Sequence, residues 1–170
     1  MKLTNNVISE GIATARAILG EVCTSEVPEF HEVKLSSARS FWGQCSKNKG
    51  HNTLKISTVF EEISDEDKAR IRFISMLIHE HIHLLYGCMN HGVNFKKWAA
   101  LVNAKYPQYK IQRTTSSAEY GVVRERRDVK YIITCQHCGK QFNYRRKPKY
   151  DMKKCFCPYC KQSKLVMEEV

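Results

Sequence analysis

The 170-residue chain has no long hydrophobic run: no uninterrupted apolar stretch reaches the roughly 18 residues that a membrane helix needs. Its first residues, Met1-Lys2-Leu3-Thr4-Asn5-Asn6, lack the basic-then-apolar build of a secretory signal. There is no low-complexity segment and no repeat beyond a pair of short cysteine motifs. Hydrophobic residues make up 42% and charged residues 26%, which excludes disordered and fibrous classes. An intracellular globular protein with no membrane contact is expected, in the cytoplasm or nucleoid, or in the nucleus of a eukaryote. This length accommodates one compact core plus a small satellite module, not two full domains.

Negative charge is also scarce, but only in one half. Lys and Arg number 28 against 17 Asp and Glu, a net charge of +11. Residues 1–91 carry 10 basic and 11 acidic side chains, whereas residues 92–170 carry 18 and 6, a net of +12 for that half. Such asymmetry is an electrostatic footprint for a polyanion, and nucleic acid is the first candidate. The candidate contacts are Arg124, Arg126, Arg127, Lys130, Arg145, Arg146, Lys147 and Lys149. Tyr131, Phe142, Tyr144 and Tyr150 interleave with cations and offer faces for base stacking. A solvated basic face is the plainer alternative.

Of eight cysteines, four form two CxxC pairs, Cys135/Cys138 and Cys157/Cys160, with 18 residues between the pairs. In an intracellular chain this spacing reads as a tetrathiolate zinc site. Four thiolates close the coordination sphere, so this ion stabilises a fold and does not catalyse. Cys155 is a weaker competitor for one ligand position, and Cys23, Cys45 and Cys88 are left over.

Ile8, Ile12, Ala15 and Leu19 mark an amphipathic first helix. Segments around His31–Leu35 and Leu54–Phe60 alternate as strands about a Gly/Lys/Asn-rich turn, which predicts an antiparallel hairpin or three-stranded sheet. Ser64 followed by Asp67 signals a cap for a long helix from about Asp65 to Tyr86. Another helix runs from near Asn94 to before Pro107, with Phe95, Trp98 and Val102 on one face. Val129, Tyr131 and Ile133 alternate as a strand entering the first CxxC. The fold class is α+β: helices on a small antiparallel sheet over residues 1–112, a linker or loop over 113–127, and a β-rich zinc ribbon over 128–170.

The long helix carries His79-Glu80-His81-Ile82-His83, an HExxH pattern. At 3.6 residues per turn His79 and His83 share an azimuth and can offer two imidazoles to one metal ion, with Glu80 beside the open position. His81 projects about 200° away and is expected to pack. Catalytic zinc takes a third protein ligand; His91 is the best candidate, with Cys45 and Cys88 weaker ones. For an oxyanion donor Tyr86, Tyr106, Tyr109 and Tyr120 stay open.

Four stretches resemble the SprT-like metalloproteases, a family that includes bacterial SprT proteins and eukaryotic Spartan proteases. They are Arg39-Ser40-Phe41-Trp42-Gly43-Gln44-Cys45, Leu54-Lys55-Ile56-Ser57, the HExxH, and Asn90-His91-Gly92-Val93-Asn94-Phe95-Lys96-Lys97-Trp98. The cysteine ribbon from Tyr131 is similar to the bacterial-type layout. The resemblance implies a zincin-like core with the HExxH on a central helix, one catalytic zinc on His79, His83 and His91, and Glu80 as general base. It also implies an endopeptidase acting on DNA-bound proteins. A monomer is expected, with single-stranded or structured DNA as partner, and the ribbon's zinc counts as a second, structural ion. A nucleic-acid-binding zinc module with an idle core, and a three-histidine metal-dependent nuclease, are the competing readings.

Overall fold

The computed structural model describes residues 1–24, 26–116, 118–122 and 128–170. The chain divides into two compact units, residues 1–124 and 125–170. The described residues make a mixed α+β protein with three α-helices and two small sheets.

In the first unit, α1 (Asn5–Gly20) starts where the Thr4 hydroxyl accepts from the Val7 N–H. It buries Ile8, Gly11, Ala15, Ile18 and Leu19, with Ile12 partly buried at the margin. Strand β1 (Glu32–Ser36) is followed by the hairpin of β2 (Gly43–Asn48) and β3 (His51–Ser57), closed by the two-residue turn Lys49–Gly50.

The sheet order is β1-β3-β2, and β1 runs parallel to β3. The expected all-antiparallel sheet is therefore corrected to a mixed one. Residues 37–42 carry the chain over the C-terminal end of β3 to its far edge. Ser57 ties this crossing down: its hydroxyl donates to the Ala38 carbonyl at 2.7 Å, and its N–H to the Trp42 carbonyl at 2.9 Å. Period-two alternation reports which face a residue takes and leaves strand direction open.

Helix α2 (Glu66–Leu84) is the core element, with 13 of its 19 residues buried. Its cap is Asp65, one residue beyond the expected Ser64; the Asp65 carboxylate accepts from the Lys68 N–H at 3.0 Å. The helix stops two residues before the expected Tyr86, and Lys47 Nζ from β2 donates to the freed Leu84 carbonyl at 2.5 Å. Phe60, Phe73, Leu77, Ile78 and Ile82 pack between α2, the sheet and α1. Helix α3 (Val93–Lys105) adds Phe95, Ala99 and Val102.

The second unit is a three-stranded antiparallel sheet, with β4 (Tyr131–Cys135) between β5 (Gln141–Tyr144) and β6 (Leu165–Glu169). Among its described residues the buried side chains are Ile133, Cys135 and Cys157, far too few for a self-sufficient core. Among the described residues no helix is long and apolar enough to cross a membrane.

Candidate metal centres

His79, Glu80 and His83 lie in the last turns of α2. After the helix, Gly87 turns the chain at φ 71°, and His91 comes back over the helix end. The Nε2 atoms of the three histidines then form a triangle. His79 and His83 are 3.2 Å apart, His83 and His91 3.2 Å, and His91 and His79 3.0 Å.

Those edges fit a cation. A tetrahedral zinc with Zn–N of about 2.0–2.1 Å has ligand–ligand edges of about 3.3 Å. His83 Nδ1 donates to the Cys88 carbonyl at 2.6 Å, which leaves its Nε2 as a bare lone pair directed at the other two rings. Hydrogen bonds cannot satisfy three nitrogens that all face one another, whereas a shared cation can. Phe95 backs the arrangement, its ring 4.7–4.8 Å from each of the three imidazoles.

Burial lowers all three imidazoles, and neighbouring rings add to this at His79 and His91, which favours the neutral, ligating form. His79 is pulled down to about 3, first by burial and then by His83 and His91. His83 and His91 are also lowered, each chiefly by burial.

Glu80 is 6% exposed, and burial pushes its carboxyl up to about 7. The Cys45 N–H, which donates to Oε2 at 2.8 Å, and the charge of Arg72 work against that rise. The close passage of β2 that brings this donor in depends on Gly43. A Cβ there would lie 2.2 Å from Met76 Sδ and 3.1 Å from Glu80 Cγ.

The two cysteines considered as ligands serve otherwise. Cys45 contributes its backbone, while burial and the neighbouring Glu80 push its thiol up to about 12. Cys88 is fully buried and contributes its carbonyl. His81 packs on the opposite side as expected, edge-on to Phe30 at 4.6 Å and with Nδ1 on the Leu77 carbonyl at 2.7 Å. Burial pulls it down to about 4. Tyr106 is held by Glu21, and Tyr86 is 97% exposed.

The histidines and Glu80 line a cleft of about 480 Å³, with residues 40–45 along one wall and Arg72 and Arg113 further along. Three contributors were not evident in the sequence: the Cys45 N–H, Phe95 as a backing for all three rings, and Arg72. Arg72 did leave a signal. It stands at i−7 from His79 and i−4 from Met76, on the cleft-facing stripe of α2, within an apolar run.

In the second unit Cys135, Cys138, Cys157 and Cys160 converge, with Cys135 and Cys160 sulfurs 3.5 Å apart and Cys138 and Cys157 sulfurs 3.7 Å apart. Two matching knuckles hold them. The N–H of Gly139 donates to the Cys135 carbonyl and that of Lys161 to the Cys157 carbonyl, both at 2.8 Å, with φ 69° and 61°. Backbone donors in the first knuckle, that of Cys138 foremost, hold the Cys135 thiol down at about 6. Cys155 stays outside this set, its thiol donating to the Asp151 carbonyl at 3.2 Å. Both donor groups, three histidines and four cysteines, are consistent with zinc.

Of the predicted nucleic-acid contacts, Lys130, Arg145, Arg146, Lys147 and Lys149 are exposed. They enter none of the ion pairs among the described residues. Arg124, Arg126 and Arg127 lie outside the described residues. Phe142, Tyr144, Tyr150 and Phe156 line a pocket of about 390 Å³ in the same unit.

A mixed α+β unit whose core helix supplies two of three converging imidazoles and an adjacent carboxyl is metalloprotease-like in its donor set. The chain belongs to the SprT-like family, whose model matches residues 17–115, a span that includes the sheet, α2, α3 and all three histidines. Neither the curated proteins nor the solved structures yield a match.

Proposed function

We propose that this protein is a zinc-dependent endopeptidase with a zincin-like core, that its cleavage depends on DNA, and that its substrates are DNA-bound proteins, crosslinked ones included. The observation that carries the reading is the Nε2 triangle of His79, His83 and His91 with the buried carboxyl of Glu80 next to it in α2.

His79, His83 and His91 would hold a zinc ion, which would supply Lewis acidity for water and for a peptide carbonyl. Glu80 does the proton work. Its carboxylate accepts a proton from the attacking water and returns it to the leaving amine. Burial raises the proton affinity of this carboxyl, which favours its taking the proton. The Cys45 N–H occupies one Oε2 lone pair and fixes the rotamer, leaving the other oxygen to face the water. Phe95 excludes solvent from beneath the three rings.

The second unit would supply the DNA contact, with a second, structural zinc on its four cysteines. Its exposed cations suit phosphates, and its aromatic pocket suits unpaired bases, which favours single-stranded or structured DNA. The test is proteolysis of a histone by the zinc-loaded protein with and without single-stranded DNA. Cleavage confined to the DNA-containing reaction is expected. Cleavage of naked nucleic acid with the histone left intact would move the assignment to a three-histidine nuclease.

A further inference from the structure

Arg72 is the only buried Lys or Arg among the described residues, at 8% exposure, and it enters none of their ion pairs. Its Nε reaches no partner, and Nη1 makes only a 3.4 Å contact with the Ser75 hydroxyl, itself committed to the Tyr109 carbonyl. Two aromatic faces hold the guanidinium without neutralising it: Trp42 at 5.0 Å and Tyr120 at 5.8 Å. A buried charge left this way costs several kcal/mol of desolvation that only an opposite charge offsets well.

The surroundings fix the sign of the missing partner. Among the described residues lining the cleft, Arg72 and Arg113 are the cations and Glu80 is the only acid. Glu80 belongs to the chemistry. Arg72 stands seven residues before His79, two helix turns or about 10 Å along α2. An extended peptide at about 3.3 Å per residue covers that distance in about three residues.

We propose that Arg72 is a specificity-determining residue, receiving a carboxylate of the substrate chain about three residues from the bond that is cut. The inference rests on the endopeptidase reading. The planar guanidinium fork, held against two rings that meet edge to face, is preorganised for a carboxylate and selects against amide, aliphatic and cationic side chains in that place. The carboxylate comes either from an Asp or Glu side chain or from a substrate C-terminus.

The experiment uses a neutral peptide that the zinc-loaded protein cuts in the presence of single-stranded DNA. Glu is walked through the four positions on either side of the bond, with Gln as partner at each, and every peptide is made amidated and as free acid. Glu at one position, about three residues out, should raise kcat/KM about tenfold or more over Gln, the range of a charge-assisted hydrogen bond. Arg72→Met should abolish that preference and Arg72→Lys should retain part of it. A gain in amidated peptides identifies the side chain, and a gain confined to free acids identifies the terminus.

Equal cutting of Glu and Gln peptides by the wild type at every position would overturn the proposal without recourse to any variant. So would discrimination that survives Arg72→Met.

Trp42 emission provides a readout independent of cleavage. Trp98→Phe leaves Trp42 as the sole tryptophan, and in that background the Glu80→Gln protein is titrated with Glu and Gln peptides. A shift with the Glu peptide alone, lost in Arg72→Met, supports the carboxylate site even if no peptide is ever cut, in which case only the endopeptidase reading fails. No shift with the Glu peptide, or one given instead by a short oligonucleotide, overturns it.

Discussion

The backbone N–H of Cys45, on the edge strand β2, donates to Oε2 of Glu80 on α2 at 2.8 Å. One hydrogen bond thus joins sheet and helix at the carboxyl assigned the proton transfers. It depends on how closely β2 passes α2, and Gly43 sets that distance. Gly43→Ala places a methyl 2.2 Å from Met76 Sδ, so strand or side chain must move. The substitution should cost about 1–3 kcal/mol of stability by overpacking. It should also lower kcat more than it weakens metal binding. Thermal unfolding, metal competition and cleavage rates on one preparation check this.

The burial of Glu80 has a pH signature in the metal-free protein. Its folded-state value of about 7 lies above the ordinary 4.5, so the folded chain binds more protons than the unfolded chain between those values. Stability from this group is full below about pH 4.5 and is lost as the pH rises to about 7. Glu80→Gln keeps an acceptor for the Cys45 N–H and removes the titration. The stability gap between variant and wild type should widen across that interval to about 1–3 kcal/mol in favour of the variant. Denaturant unfolding in chelator, followed by tryptophan emission at stepped pH, measures it.

Phe95 touches all three imidazole rings and is 2% exposed. Phe95→Ala should cost about 3–5 kcal/mol, as large aromatic truncations in cores do. It should also weaken metal binding about 10–100-fold, the usual penalty for disturbing residues that orient ligands. Phe95→Leu, which refills most of the space, should recover most of both. Equal metal affinity in wild type and the alanine variant would show that the triangle stands without this support.

These positions show what a sequence displays and what it conceals. His79 and His83 were legible because i, i+4 spacing on a helix fixes azimuth, and the helix was legible from its apolar flanks. His91 was legible only as a nearby ligand type, since the turn at Gly87 sets its return. Strand alternation could not reveal that β1 runs parallel to β3, because the pattern carries face and not direction. The Cys45 donor is a backbone group and has no side-chain signature. The cap moved from Ser64 to Asp65 because both residues can accept a hydrogen bond and only the local backbone chooses between them. Arg72 could be read from the helix stripe, but its burial against Trp42 and Tyr120 depends on chain distant in sequence.

Among its described residues the four-cysteine unit buries only Ile133 and two of its own cysteines. Its fold should therefore depend on its ion. Cys135→Ser should lower the metal content from two ions per chain to one and melt the β4–β6 sheet, while the histidine centre keeps its metal. Elemental analysis with amide exchange of residues 131–135 separates the two centres. Loss of both ions from this single substitution would contradict their independence.

The most direct test of the central claim, that Glu80 moves the proton at a metal held by three histidines, is one preparation of Glu80→Gln measured twice. Metal content reports the histidine centre, and cleavage of a DNA-bound histone reports the chemistry. The account predicts wild-type metal content with cleavage reduced by at least about a thousandfold, in line with loss of an essential general base. Wild-type metal content with cleavage at the wild-type rate would contradict it.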